Sequence, residues 1–300
     1  MIILSKQQIL DSGLLTPSNA LRWVREAFSL KYNARLPHKI SITYDGGYFM
    51  NTMPCMIPSL NVFGVKVVTR YPGRTPSIAG DLLLYREDTG ELLALMDATA
   101  LTAIRTGAVA ALAVQQLSRP DFKDIAIMGL GQTGRATLAC LAELFSHQPL
   151  CLHVLRHKMQ AEEIQNEYRE RCPKWHVVIE DNYRSLVRSS DVIISCITYT
   201  DSLIAEDDDF RQGCLVVPVH TRGFQNCDLF FDKVFADDTA HVRGFQHFSQ
   251  FKHFGELPAV LLGKIPGRES KEERILSYNI GIALHDIVFA HHLYETLGRQ

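Results

Sequence analysis

One arginine lies within an apolar stretch, where its charge needs a partner. Residues 101–113 read LTAIRTGAVAALA, and Arg105 is the only charged side chain among them. A buried, unpaired charge is strongly unfavourable. Arg105 therefore either forms an ion pair with a carboxylate of this chain, for which Asp81 and Asp97 are candidates, or binds an anion that comes from outside. A planar guanidinium can hold a carboxylate with two parallel hydrogen bonds.

A second candidate site is the glycine-rich segment GLGQTG at 129–134. The predicted strand Asp124 to Met128 precedes it and a predicted helix follows it, as in a dinucleotide-binding loop. The first glycine permits a tight turn, the second lets the backbone approach a pyrophosphate, and the third lets helix and strand pack closely. The alternative is a glycine-rich turn without a ligand. We predict cofactor contacts along the whole loop, from Gly129, Gly131, Gln132, Thr133 and Gly134.

The end of the next strand indicates which dinucleotide is bound. Proteins that select NAD usually carry Asp or Glu there to accept hydrogen bonds from the ribose. Here the strand ends in Leu155, and Arg156, His157 and Lys158 follow without a carboxylate. Because a guanidinium can bind a 2′-phosphate bidentately, we expect Arg156 and His157 to favour NADP(H), with NAD(H) as the alternative. Arg156 and Lys158 could instead be only the solvated start of a helix.

Alternating strands and helices are predicted to position these residues. From residue 119 onward, short apolar strands alternate with helices, which predicts a parallel sheet with helices on both faces. The N-terminal part differs, with consecutive strand-like runs that include Val62 to Arg70 and a hairpin turning at Asp88–Gly90. A C-terminal helix is predicted near Asn279 to Thr296. The fold class is therefore α/β, a Rossmann-type doubly wound parallel sheet plus an α+β domain.

Composition argues against several functional classes. The chain has 300 residues, is 46% hydrophobic and 21% charged, and carries a net charge of -2, which is typical of a soluble protein of about two domains. No apolar stretch approaches the roughly 20 residues of a membrane span, and the start lacks the features of a signal peptide. The seven cysteines include no CxxC pair. We expect a cytoplasmic protein that binds neither nucleic acid nor membrane.

The order and spacing of these motifs resemble the ornithine cyclodeaminase/mu-crystallin family. The matching segments are FGVKVVTRYPGRTP, LLLYREDTGELLALMD, ALTAIRTGAVAALA, IMGLGQTG and SYNIGIALHDIVFAHHLYE. The resemblance implies a homodimer that binds NAD or NADP and a small amino or imino acid, and that exchanges hydride between nicotinamide and the substrate α-carbon. It implies a substrate-binding and dimerisation domain at 1–118 together with about 278–300, and an NAD(P)-binding Rossmann domain at 119–277.

The resemblance also implies two catalytic residues. Arg105 matches the family arginine that binds the substrate α-carboxylate, and Lys66 matches the family lysine on the preceding strand. A lysine near Arg105 would have its pKa lowered by the like charge and by desolvation. It could then move a proton at the substrate nitrogen or activate water. An exposed lysine on an edge strand is the alternative.

Four further positions match the family less strongly. Lys39 falls where the family often has a second arginine for the carboxylate, and Met53 falls where a methionine lines the substrate pocket. Core packing alone is an equal alternative for Met53. Thr198 and Asn279 match positions that contact the cofactor in the family.

One turn departs from the family pattern. Cyclodeaminases carry an aspartate after the strand that matches Leu215 to Val219, whereas this chain continues with His220 and has no carboxylate before Asp228. His220 could be an acid–base group, or it could only satisfy a loop carbonyl. We therefore predict an NADP-dependent imine reductase or amino-acid dehydrogenase. A cyclodeaminase with tightly bound NAD and an NADPH-binding protein with little turnover are the alternatives.

Two polar clusters only weakly indicate a metal. His241, His247 and His253 are evenly spaced, but Gly244 and the intervening phenylalanines argue against the regular strand that would align them. The acidic run 206–209 is typical of a solvated helix start. We predict no metal site.

Overall fold

The computed structural model describes residues 1–197, 200, 203–219 and 229–298. The chain forms two structural units. The first consists of Met1–Arg105 and Gly281–Gln300, and the second is Thr106–Ile280.

A six-stranded sheet is the basis of the first unit. Its strands are β1 (Ile2–Leu4), β2 (Ile40–Tyr44), β3 (Tyr48–Ile57), β4 (Val62–Arg70), β5 (Ile78–Arg86) and β6 (Leu92–Asp97). They lie in the order β1-β6-β5-β4-β3-β2, and every neighbouring pair is antiparallel except β1 and β6. The hairpin between β5 and β6 confirms the turn predicted at Asp88–Gly90.

Two helices of the first unit are α1 (Lys6–Asp11) and α2 (Pro17–Leu30), and α3 (Thr99–Leu117) begins in the first unit and continues in the second. The first two begin with side-chain caps, in which Ser5 and Thr16 accept hydrogen bonds from backbone N–H groups of the first turn. Within the described part of the chain, α3 alone is long and apolar enough to cross a membrane. Since 61% of its most apolar window is buried inside the protein, α3 has the character of a core helix.

The second unit contains an eight-stranded sheet in which all neighbouring strands are parallel. Its order is β13-β12-β14-β11-β10-β7-β8-β9. In chain order the elements are β7 (Asp124–Met128), α4 (Gln132–Phe145), β8 (Leu150–Leu155), α5 (Gln160–Arg171), β9 (Trp175–Glu180), α6 (Tyr183–Arg188), β10 (Val192–Ser195), β11 (Leu215–Pro218), β12 (Lys233–Ala236), α7 (Thr239–Val242), β13 (Phe254–Glu256), α8 (Leu257–Leu261) and β14 (Ile275–Tyr278).

The predicted Rossmann-type sheet is confirmed, with one inner strand that the sequence analysis missed. β14 lies between β11 and β12, and all four of its residues are buried. Its sequence, ILSY, is too short to show a strand period and runs directly into the C-terminal segment. Pairing with two neighbouring strands, rather than local pattern, makes it a strand.

The chain then returns to the first unit as α9 (Ala283–Leu297). This helix packs against β3, β4 and β5 and against α2. Gly64 of β4 permits the close approach, since a Cβ there would lie 2.6 Å from Ile287 Cδ1. α9 therefore packs closely over this face of the sheet.

Candidate active site

Lys66 lies on the covered face of the six-stranded sheet. In the register of the sheet it pairs with Met53 of β3 on one side and with Leu82 of β5 on the other, and Met96 of β6 continues the row. All four side chains are buried, and Lys66 is 0% exposed. Because β4 is an inner strand, the alternative of an exposed edge-strand lysine is wrong. A fully buried ammonium requires an opposite charge.

That charge is the carboxylate of Asp286, which Lys66 shares with Arg105. Lys66 Nζ lies 2.8 Å from Asp286 Oδ2, and Arg105 Nε donates a hydrogen bond of 2.9 Å to Asp286 Oδ1. Lys66 Nζ also lies 3.4 Å from Thr102 Oγ1. The three charged side chains come from β4, α3 and α9, and all are buried. We call Lys66, Arg105 and Asp286 the buried charge cluster.

The partner of Arg105 is thus a carboxylate of this chain, but the two candidates expected from the sequence are wrong. Asp81 pairs in register with Val67 and with Asp97, so both aspartates belong to the row next to that of Lys66. Successive residues of a strand point to opposite faces. Asp81 and Asp97 therefore lie on the face away from Lys66.

The electrostatics of the cluster favour a mobile proton on Lys66. Burial lowers the pKa of Lys66 to about 7, the charge of Arg105 adds to this effect, and Asp286 opposes it. Burial alone would raise the pKa of Asp286, but Arg105 and Lys66 together hold it below its usual value. Near neutral pH, Asp286 is thus ionised while Lys66 exists in both protonation states. Such a lysine can donate or accept a proton.

The other two residues predicted for the substrate pocket lie beside Lys66. Ile40 pairs with Thr52, which brings the preceding residue, Lys39, next to Met53. The charge of Lys39 contributes to the lowered pKa of Lys66. Met53 is buried in the same row as Lys66, so core packing and a pocket role are both compatible with its position.

The start of the C-terminal segment shapes the Arg105 side of the cluster. Gly281 has φ +80°, and a Cβ there would lie 2.5 Å from Arg105 Nη1. Any larger residue would displace the guanidinium, so the backbone itself forms a wall beside it. His285 is fully buried and forms an edge-on contact with Phe28. Burial, with a contribution from Arg105, lowers the pKa of His285 to about 3, so this imidazole stays neutral.

In the second unit, the glycine loop has the geometry of a phosphate-binding turn. Gly129 has φ +85°, and a Cβ there would lie 2.5 Å from the carbonyl carbon of Cys196. A Cβ on Gly134 would overlap Gly129 O. Gly131 caps the N-terminus of α4, and a Cβ there would meet no atom within 4 Å. The first and third glycines are thus required by packing, whereas the second faces open space, as a pyrophosphate site needs. Gln132 and Thr133 form the first turn of α4.

Arg156 lies directly after β8, as predicted, and two carboxylates contact its guanidinium. Its Nε donates to Asp181 Oδ1 at 2.6 Å, and its Nη1 bonds to Glu162. Asp181 follows β9 and Glu162 belongs to α5. The guanidinium and the neighbouring His157 are exposed. Carboxylates are therefore present near the end of β8, although β8 itself supplies none.

Asn279 is a buried amide that lacks hydrogen-bond partners among the described residues. It follows β14 at the carboxyl edge of the parallel sheet and is 1% exposed, and neither its side-chain oxygen nor its nitrogen is bonded. An unsatisfied buried amide is costly unless a ligand completes it. Ligands bind at this edge of α/β sheets. Together with Gly131, this amide fits a nicotinamide dinucleotide. Thr198 and His220 lie outside the described residues.

In the two clusters considered for a metal, His241 and Asp209 have partners within the chain. His241 lies in α7 and bonds to Asp238 at 2.7 Å, while His247 and His253 lie outside helix and strand, so no common strand aligns the three. The acidic run is not merely solvated, since Asp209 is buried. Its Oδ1 accepts hydrogen bonds from Arg184 and Arg188.

A different group of side chains, Asp124, Cys151 and His153, has potential metal-binding atoms that lie within 4.8 Å of one another. His153 Nδ1 lies 2.9 Å from Glu180 Oε1, and Arg211 Nη1 lies 3.1 Å from Asp124 Oδ2. Asp124 and His153 therefore have partners within the chain.

The glycine loop on an all-parallel sheet defines the second unit as a fold of the dinucleotide-binding class. The family model of the ornithine cyclodeaminase/mu-crystallin family matches residues 8–300. The chain therefore belongs to this family, as the sequence motifs indicated.

Relatives and solved structures agree with this assignment. An N-((2S)-2-amino-2-carboxyethyl)-L-glutamate dehydrogenase of Staphylococcus aureus is 27% identical over 74% of this chain and 69% of its own length. A Delta(1)-pyrroline-2-carboxylate reductase of Bacillus cereus is 27% identical over 83% of this chain and 81% of its own length. The Delta(1)-pyrroline-2-carboxylate reductase of Thermococcus litoralis, solved with NADH and L-proline, has the same fold, with a TM-score of 0.86 at 24% identity over 100% of this chain and 98% of that one.

Proposed function

We propose that this protein is an NAD(P)-dependent oxidoreductase that transfers hydride at the carbon of a C–N bond in a small amino or imino acid. Family membership and two relatives that are a dehydrogenase and an imine reductase support this proposal. The observation that carries it is the buried charge cluster, in which two cations share one carboxylate. The cluster has an excess positive charge that an anionic substrate would neutralise.

Arg105 binds the substrate carboxylate in this proposal. Its Nε is fixed by Asp286 and its Nη1 lies against Gly281, so the plane of the guanidinium is set before a ligand arrives. A preset guanidinium loses little conformational entropy when it binds a carboxylate. Lys39 and Met53 line the same pocket.

Lys66 handles the proton. Bound NAD(P)H would supply the hydride. When the substrate is an imine, Lys66 Nζ would donate a proton to its nitrogen as its carbon accepts the hydride, which leaves an amine and a neutral lysine. Oxidation of an amine runs through the same groups in reverse. A group that titrates near pH 7 suits both directions.

NADP(H) is the favoured cofactor in this proposal, with NAD(H) as the alternative. Arg156 and His157 stand at the end of β8, where a 2′-phosphate would lie, and Asp181 and Glu162 hold the guanidinium in place. A phosphate would compete for the guanidinium with these carboxylates, of which Asp181 is exposed and Glu162 half-buried, and would add charge-assisted hydrogen bonds. We expect Arg156→Ala to reduce the ratio of kcat/KM for NADPH over NADH at least about tenfold, since hydrogen bonds to charged groups contribute roughly 1.5–3 kcal/mol.

We further propose that the protein is a homodimer in the cytoplasm and that the first unit forms the dimer interface. The edge strand β2 carries exposed apolar side chains, among them Ile40, Ile42 and Tyr44. The six cysteines in the described part of the chain are free thiols. Light scattering of the purified protein tests the dimer, and a monomeric mass would contradict it.

The test of function follows the absorbance of NADPH or NADH in the presence of cyclic imino acids, or of 2-keto acids with amines. Steady oxidation with one of these substrates supports an oxidoreductase. Ammonia release from ornithine without net change in cofactor would instead identify a cyclodeaminase.

A further inference from the structure

We infer that Asp286 is a positioning residue of the proposed reaction, which fixes Arg105 and Lys66 in one geometry and leaves their excess charge for the substrate carboxylate to neutralise. The inference rests on the proposed function. It assigns Asp286 no contact with the substrate, because each of its two oxygens already faces one of the two cations.

The geometry places Asp286 where three elements meet. It lies in the first turn of α9, close to the helix N-terminus, which favours a negative charge. One oxygen faces β4 through Lys66 and the other faces α3 through Arg105. Gly64 lets α9 approach β4 closely, as its contact with Ile287 shows. A shift of α9 would therefore move both cations together.

The charge balance explains why one carboxylate serves two cations. A carboxylate for each cation would leave a neutral site with little affinity for an anion, and no carboxylate would leave two buried cations in mutual repulsion. With Asp286 alone, Lys66 is held near the midpoint of its titration. A substrate carboxylate arriving at Arg105 then adds a negative charge near Lys66 and favours its protonated form. The proton is thus taken up when the imine that needs it has bound.

Five charged or titratable groups face Lys66 from the surrounding elements. They are Arg105 of α3, Asp286 and His285 of α9, Lys39 before β2, and Cys55 of β3. Burial raises the pKa of the Cys55 thiol to about 12 and lowers that of His285 to about 3, so both are neutral. Among the groups of this site whose pKa is shifted, Lys66 is the one with a pKa of about 7.

The first test is the pH profile of kcat/KM for imine reduction by wild type and Asp286→Asn. The wild-type rate is expected to fall above about pH 7, as Lys66 loses its proton. Removing the negative charge of Asp286 should shift the alkaline limb of the profile to lower pH by at least about one pH unit. At alkaline pH this corresponds to an additional loss of about tenfold in kcat/KM. Asp97→Asn is the matched control, because it removes a carboxylate from the opposite face of the same sheet. Its limb should coincide with that of wild type.

The second test uses wild-type protein and so does not depend on the folding of a variant. Pyrrole-2-carboxylate, a planar anion without a basic nitrogen, is titrated into the NADP-bound protein in buffers of different ionisation enthalpy. Binding should take up about 0.4 of a proton at pH 8 and less than about 0.1 at pH 6, if the carboxylate raises the pKa of Lys66 by about one pH unit.

The outcomes separate this inference from the proposed function. Two results would overturn the role of Asp286 alone. One is wild-type turnover with an alkaline limb of the kcat/KM profile that is the same in Asp286→Asn and wild type. The other is tight pyrrole-2-carboxylate binding without proton uptake at pH 8. Absence of both turnover and binding in wild type would overturn the proposed function, and this inference with it.

Discussion

Replacing Lys66 with methionine should change how the stability of the protein depends on pH. Burial lowers the pKa of Lys66 from 10.5 in water to about 7 in the folded chain. Between these values the unfolded chain binds more protons than the folded one, so the free energy of unfolding of the wild type rises with pH. Lys66→Met lacks this group. The difference in unfolding free energy, wild type minus variant, should therefore increase from about pH 7 upward.

The size of the increase follows from the two pKa values. Complete titration from 10.5 to about 7 corresponds to about 5 kcal/mol, at roughly 1.4 kcal/mol per pH unit. Half of the folded Lys66 is still protonated at the start of this range, so the increase between pH 7 and pH 9 is about 2 kcal/mol. Asp286 stays ionised throughout, because its pKa is held below the usual value of a carboxyl group. The buried cysteines are present in both proteins, and their contributions cancel.

Denaturant unfolding at a series of pH values, followed by circular dichroism, measures the difference. Lys174→Met is the matched control, since Lys174 is exposed and its ammonium donates a hydrogen bond to the surface carbonyl of His147 instead of entering the core. Its difference from wild type should be constant over the same range. A constant difference for Lys66→Met as well would refute the reasoning, because Lys66 would then keep its proton in the folded protein.

Three further predictions concern substrate and cofactor binding. Arg105→Lys keeps the charge but loses the planar fork, so KM for an imino acid should rise at least about tenfold while NADPH affinity, measured by fluorescence, stays constant; an unchanged KM would exclude the carboxylate contact. Gly131→Ala should leave the melting temperature unchanged and weaken NADPH binding, whereas Gly134→Ala should lower the melting temperature, because a Cβ there overlaps the backbone of the loop; equal melting temperatures would contradict the loop geometry. Asn279→Leu should weaken NADPH binding without loss of stability of the cofactor-free protein, since the amide has no partner among the described residues; a large drop in stability would show that the amide serves the fold instead.

The elements with strong local patterns could be predicted from the sequence. The glycine loop lies between an apolar strand and a helix, and its pattern already requires the strand–turn–helix geometry that the structure shows. The Asp88–Gly90 turn likewise carries its own signal. β14 has no such signal, because its four residues become a strand only by pairing with β11 and β12. A local sequence pattern cannot reveal contacts between residues that are far apart in the chain.

The partner of Arg105 illustrates the same limit in the site. Asp81 and Asp97 are near Arg105 in sequence, but strand alternation turns them to the other face, while Asp286 is far away in sequence and near in space. One signal for Asp286 was available, since it is the only charged residue in the apolar segment from Ile280 to His292. Like Arg105, this aspartate is a charged residue in a helix suited to burial, so it also needs a partner of opposite charge.

The surroundings of Arg156, on which the cofactor preference depends, also could not be predicted in full. β8 ends next to Arg156, and the strand itself contributes no carboxylate. Asp181 and Glu162 reach the same place from β9 and α5 because parallel strands end at one edge of the sheet. Their approach depends on tertiary structure, so NADP selectivity cannot be decided from the sequence of one strand.

The most direct measurement of the central claim follows NADPH absorbance with Delta(1)-pyrroline-2-carboxylate, comparing wild type with Lys66→Met. Wild type should oxidise NADPH steadily and form the corresponding amino acid, whereas Lys66→Met should bind NADPH equally well and turn over at least about a hundredfold more slowly, the loss typical of a missing acid–base group. Equal rates for the two proteins would contradict the role given to the buried lysine. No oxidation of NADPH or NADH by wild type with cyclic imino acids, or with 2-keto acids and amines, despite tight cofactor binding, would contradict the assignment as an oxidoreductase.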